Sequence, residues 1–126
     1  MLTSSMRVWG CFFMAISSDI IRGHLESVIL KLIIEKDRYG YEIASEIQKR
    51  THHQFAIKEA TLYAMVQRFE KKGLITSYIG TKSHGRERRY YTISPLGYDY
   101  FERKLLEWKQ LKEIMSLLLE TTDARN

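Results

Sequence analysis

The side chains best suited to chemistry lie between Lys58 and Arg89, and the chemistry they suit is recognition of a polyanion. Leu62, Met65, Val66 and Phe69 recur at i, i+3, i+4 and i+7, which turns them toward a core. The opposite face of that helix carries Ala60, Tyr63, Ala64, Gln67, Arg68 and Lys71. Small residues at 60 and 64 suit a face that must approach a groove closely. Tyr63, Gln67 and Arg68 can reach base edges or phosphates, while Lys58 and Thr61 can hold a backbone near the helix N-terminus. A polar, glycine-containing hairpin follows with Lys82, His84, Arg86, Arg88 and Arg89. Residues 80–89 carry four Lys and Arg against one Glu, a net +3. Such cations can lie along phosphates or enter a minor groove. On a strand Arg86 and Arg88 share one face, whereas Arg89 points the other way and has an acid as its alternative partner. The bland readings are a solvated helix face with Tyr63 partly packed, and a merely soluble hairpin. Helix followed by basic hairpin is the order of a recognition helix and a wing, which makes double-stranded DNA the first partner to consider.

Little else in the chain offers chemistry. There is no phosphate-binding glycine loop, and no serine or cysteine nucleophile beside a base. Glu42, Glu46, Glu59 and Glu70 read as surface helix charges, so neither catalytic residues nor a cofactor is expected. His52 and His53 are adjacent and point apart, while His24 and His84 are isolated, so no metal site is expected. Cys11 has only Arg7 nearby to lower its pKa, which leaves a redox-sensing thiol as an alternative.

These residues must be positioned by a small fold. A chain of 126 residues allows one domain, at most with an appendage. Its core is modest enough for dimerisation to help. The net charge of +5 and pI near 9.3 favour an acidic partner. A single cysteine permits no intramolecular disulfide and suits the reducing cytoplasm. The apolar stretch Val8 to Ile16 is too short to span a membrane. Residues 1–17 read as a leader, with Met6 and Met14 as alternative starts.

A first helix is predicted from Asp19 to Lys36, with Asp19 as N-cap. Its stripe of Ile21, Leu25, Val28, Ile29, Leu32 and Ile33 has a second flank at Leu30 and Ile34. Apolar on more than one side, it needs two partners, such as its own core and another subunit. Asp37 to Gly40 reads as a turn, and Tyr41 to Arg50 as a second helix with Ile43, Ala44 and Ile47 inward. A polar connector, Thr51 to Gln54, is anchored by Phe55 and Ile57 as a very short strand. The third helix ends at Gly73. Strands are predicted at Leu74 to Ile79 and Arg88 to Ile93, with Gly80 to Gly85 as their loop. Ser94 as N-cap and Pro95 at the first position open a last helix to about Glu120, roughly 38 Å long at ~1.5 Å per residue. The expected fold is mostly α with a small β-hairpin: a winged helix-turn-helix over residues 18–93, a dimerisation helix over 94–120, and a tail over 121–126.

The last helix is too long for a winged unit to cover. Phe101, Leu105, Trp108, Leu111, Met115 and Leu118 form its stripe and, with Leu25 of the first helix, the expected homodimer interface. At the two-fold axis, paired Trp108 side chains could sandwich a flat apolar ligand. The alternative is a tryptophan buried in an ordinary dimer core.

The sequence resembles the PadR family of bacterial winged-helix transcriptional regulators. The matching segments are Tyr39-Gly40-Tyr41-Glu42-Ile43, Ala60-Thr61-Leu62-Tyr63, Arg68 to Ile75, and Arg89 to Gly97. A single helix after the wing is similar to the family's short-tail subgroup, which includes multidrug-responsive repressors. The resemblance implies a homodimer joined through the last helix, with each first helix packing on the partner. It also implies a repressor acting at a palindromic operator and released by a small ligand near Trp108. Leu105, Lys112 and Glu26 complete that expected ligand set, Glu26 on condition that it faces the partner's last helix. Phe69 stands where the family's usual residue is leucine, and Lys104, Lys109 and Lys112 disfavour a cationic ligand. Two other readings are a winged-helix protein-interaction module that needs no DNA, and a sensor built on Cys11.

Overall fold

The computed structural model describes residues 20–83 and 85–120. The expectations for the leader, Asp19, Cys11, His84 and the tail fall outside those residues. Helix α1 spans Leu25–Glu35. Strand β1 (Arg38–Tyr39) leads into α2 (Gly40–Arg50), and α3 follows at Glu59–Lys71. The hairpin of β2 (Ile75–Ser83) and β3 (Arg86–Ile93) precedes the long α4 (Pro95–Leu119). Among the described residues α1 to α3, a three-stranded antiparallel sheet of order β1-β3-β2 and the extended α4 make a winged helix.

Helix α1 is the centre of the fold. It packs against α4, β3 and α2, and Ile29, Leu30, Leu32 and Ile33 are at most 2% exposed. Most of its apolar surface is thus covered inside one chain, with Val28 and Ile34 left half-buried. The predicted continuous helix from Asp19 is corrected. A turn at Gly23 and His24 separates α1 from a short helical stretch at 20–22, with the His24 N–H donating to the Ile21 carbonyl at 2.7 Å. Glycine is the weakest helix former after proline, so the break falls there.

Asp37 to Gly40 is more than a turn. Arg38 and Tyr39 pair antiparallel with Tyr91 and Tyr90 and add a third strand to the hairpin. Arg38 is buried because its Nε donates to the Leu32 carbonyl at 2.8 Å and its Nη2 to Glu35 at 3.0 Å. A cation thus satisfies the carbonyl end of α1. Phe55 and Ile57 are buried anchors as expected, but the short strand proposed there is absent.

Gly73 ends α3 in the left-handed region at φ +76. The Leu74 N–H returns to the Phe69 carbonyl at 2.9 Å and the Gly73 N–H to Glu70 at 3.0 Å, a Schellman closure. The hairpin begins one residue later. Its register runs from Ile75 opposite Ile93 to Gly80 opposite Arg88, then to Ser83 opposite Arg86 across an irregularity. The loop predicted at Gly80 to Gly85 is shorter than expected, because backbone pairing needs no apolar side chains to continue. At the other end Ser94 Oγ accepts from the Gly97 N–H at 3.0 Å and Pro95 occupies the first turn of α4, as anticipated.

Candidate nucleic-acid interface

The face of α3 is built by what lies behind it. Leu62, Met65, Val66 and Phe69 are at most 6% exposed and hold the helix on the core. Ala60, Tyr63, Ala64, Gln67, Arg68 and Lys71 are all exposed on the other side, with Lys58 exposed and Thr61 half-buried at the start. The connector that sets this helix is tight. Thr51 Oγ1 lies 2.9 Å from the Ile47 carbonyl and 3.2 Å from the Phe55 N–H, and His52 and His53 both take left-handed φ, 54 and 63. Two consecutive residues in that region without glycine make a sharp, strained reversal.

Tyr63 is both packed and presented. It is 40% exposed, and its ring lies over Gly40, where a Cβ would come 2.7 Å from the hydroxyl. A side chain at the start of α2 would have to push that ring aside. Arg68 is not a free cation: its Nη2 donates to Glu26 Oε2 at 3.0 Å. The other oxygen of Glu26 accepts from the Tyr100 hydroxyl of α4 at 2.7 Å. Burial alone would raise the Glu26 pKa, but the hydrogen bonds from Tyr100 and Arg68, with the charges of Arg68 and Lys104, hold it below the ordinary value. Tyr100 is pushed up in turn, chiefly by donating to Glu26. Glu26 therefore faces its own chain's last helix. Between the start of α1 and α3 lies an open cavity of about 620 Å³, bordered by Arg22, Glu26, Ala60, Ala64 and Arg68.

In the hairpin, Arg86 is exposed while Arg88 is half-buried. The Arg88 guanidinium sits 5.0 Å from the centroid of the Tyr39 ring, and among the described residues its buried Nε has no hydrogen-bond partner. Tyr39 meets Tyr90 edge-on at 5.5 Å, and Tyr90 stacks on Tyr78 at 5.6 Å. Arg88 thus caps an aromatic row at the base of the wing. Arg89 reaches an acid through a hydroxyl: it donates to Ser77 Oγ at 2.9 Å, and Ser77 donates to Glu70 at 2.7 Å. That relay ties the hairpin to α3. For Lys82 the backbone alone is described, as part of β2.

The second set of expected residues separates along α4. Leu25 (5% exposed) and Phe101 (8%) belong to the chain's own core, and Leu105 is half-buried against it. Leu25 and Phe101, expected at the dimer interface, are already buried within the single chain. Trp108, Leu111, Met115 and Leu118 are 40% to 69% exposed. Trp108 meets His24 edge-on at 5.2 Å, and the Lys112 ammonium lies 5.7 Å from the indole.

Sequence reasoning overlooked Tyr41, which is 72% exposed and stacks on Tyr39 beside Gly40 and Tyr63. The signal was present in Tyr39-Gly40-Tyr41, an aromatic pair around a glycine at a helix start. Among the described residues no cluster of His, Cys, Asp and Glu could hold a metal, and no helix is long and apolar enough to cross a membrane.

Comparison with known proteins agrees with this architecture. The family model of PadR-like transcriptional regulators matches residues 29–103. An uncharacterized protein of Lysinibacillus sphaericus is 56% identical over 105 residues, covering 83% of this chain and 96% of that protein. The solved structure of a transcriptional regulator from Clostridium thermocellum is 43% identical, covers 82% of this chain and 97% of its own, and superposes with a TM-score of 0.74. A PadR-like regulator from Bacillus cereus superposes with a TM-score of 0.75 at 28% identity, covering 82% of this chain and 99% of its own. This chain belongs to the PadR-like family of transcriptional regulators, a family of DNA-binding regulators and not of enzymes.

Proposed function

We propose that the chain is a homodimeric repressor that reads a palindromic operator with α3 and clamps the flanking DNA with its wing. It acts in the cytoplasm and is released by a small, flat, apolar ligand near Trp108. The observation that carries the DNA part is the α3 face, where Tyr63, Gln67, Arg68 and Lys71 stand exposed around small Ala60 and Ala64. Arg86 at the hairpin adds exposed positive charge for phosphates. Dimerisation is supported by the apolar face of α4 beyond Leu105, which the described residues leave uncovered. Two copies joined there would present two recognition helices to two half-sites. A ligand against Trp108, Leu105 and Lys112 would act only through different affinity for two dimer forms.

The experiment is a titration of a fluorescent duplex carrying the chain's own upstream promoter, beside a scrambled duplex, at two salt concentrations. Promoter-selective binding that weakens with salt is expected. Tyr63→Ala should lower promoter affinity by ~1–3 kcal/mol if a base contact is lost. Absence of binding to either duplex at low salt would remove the DNA reading and favour a protein-interaction module.

A further inference from the structure

Glu26 lies on α1, yet both its carboxylate oxygens are engaged by other helices. One accepts from Arg68 on α3 at 3.0 Å and the other from Tyr100 on α4 at 2.7 Å. An exposed ion pair contributes little, largely because two long side chains must be ordered to make it. Here the Tyr100 hydroxyl already orders the acid, whose side chain is 19% exposed against 46% for Arg68. The guanidinium is a rigid fork with five donors. Glu26 takes one of them, and among the described residues the others have no partner. An arginine held on one edge presents its other donors in a defined direction, and a base edge in the major groove is read by such a fork in two parallel bonds. An unheld arginine would lose rotamer freedom on binding and would settle as readily on a phosphate. A carboxylate at this surface also repels the DNA backbone, so its presence is explained better by selectivity than by affinity. The open groove beside the pair, between Ala60, Ala64 and Arg22, leaves the guanidinium approachable.

We propose that Glu26 is a positioning residue for sequence reading: it orients Arg68 toward a base, and Tyr100 holds Glu26 in place from behind. This rests on the DNA reading above and adds how selectivity is set. It also makes the recognition helix sensitive to α4, since the same carboxylate touches both.

The test uses the full chain and a duplex enriched from a randomised library by the wild-type protein, with a scrambled duplex of equal composition. Affinities for both are measured by anisotropy for wild type, Glu26→Gln, Tyr100→Phe, Arg68→Ala and the Glu26→Gln/Arg68→Ala double variant. Glu26→Gln should cut the ratio of selected to scrambled affinity by about tenfold while scrambled binding holds or rises. Tyr100→Phe should cut it less. In the Arg68→Ala background, Glu26→Gln should change the ratio by less than about twofold, because Glu26 acts through Arg68. An unchanged ratio in Glu26→Gln, or an equal loss with and without Arg68, would overturn the inference alone. Equal loss on both duplexes with a lowered thermal midpoint would mark Glu26 as merely structural and would also overturn it. A wild-type protein that enriches no sequence overturns the DNA reading and this inference together.

Discussion

Helices α3 and α4 carry the same kind of apolar stripe and meet different fates. On α3, Leu62, Met65, Val66 and Phe69 are at most 6% exposed; on α4, Leu111, Ile114, Met115 and Leu118 are between 40% and 69% exposed. The first stripe is closed by α2 and the hairpin within the shared core. The second runs beyond the reach of anything else among the described residues. Periodicity thus reports that a face needs cover and says nothing of whose atoms supply it. The division falls inside α4 itself: Phe101 is buried and Leu105 half-buried on α1, whereas one turn further Trp108 stands 40% exposed.

The largest expected effect tests the closed side. Phe69→Ala removes a fully buried ring and should cost ~3–5 kcal/mol in urea-induced unfolding. A loss below ~1 kcal/mol would mean that α3 is not anchored by its own chain. The open side is tested next. Leu111→Lys together with Met115→Lys should leave far-ultraviolet circular dichroism nearly intact yet give a monomer in sedimentation equilibrium. Each substitution would remove ~1.5–3 kcal/mol of burial from a dimer. The unfolding midpoint of the wild type should also rise with protein concentration, and that of the double variant should not. If the variant remains dimeric, the interface lies elsewhere.

Trp108 lies at the border of the two regimes. Trp108→Ala should weaken binding of a planar aromatic dye by ~0.5–1.5 kcal/mol for each ring lost and abolish its quenching of indole fluorescence. Quenching that persists would place the dye away from α4. The smallest effect concerns the closed unit's rim. Glu35 is held at about 2, below its ordinary 4.5, chiefly by hydrogen bonds from Arg50 and also by Arg38. A depressed carboxylate contributes stability that is fully present above about 4.5 and is lost as pH falls toward about 2. Solvent screening limits the contribution to ~0.2–1 kcal/mol, so Glu35→Gln should flatten the acid limb of the stability profile only slightly.

Much of the fold was legible because it depends on short-range rules. The inward residues of α2 and α3, the Gly73 stop, and the Ser94-Pro95 start are set by neighbours within one or two turns. The exposed face of α3 was legible for the same reason: once the buried stripe is known, the opposite side follows from 3.6 residues per turn. The break at Gly23-His24, the strand at Arg38–Tyr39 and the full hairpin were less so. Each depends on a competing option, helix against turn or turn against ladder, that distant residues resolve.

Local sequence fixes which faces are apolar, where α3 stops and α4 starts, and that cations gather at α3 and the hairpin. What each polar side chain meets depends on the packed fold. Glu26 finds Arg68 and Tyr100, which stand 42 and 74 positions away. Arg88 finds the ring of Tyr39, and Arg89 finds Glu70 through Ser77. Helix and strand periods are properties of the local backbone, so a sequence displays them. A hydrogen bond between helices depends on where separate elements come to rest, and that is set by the packing of the whole core.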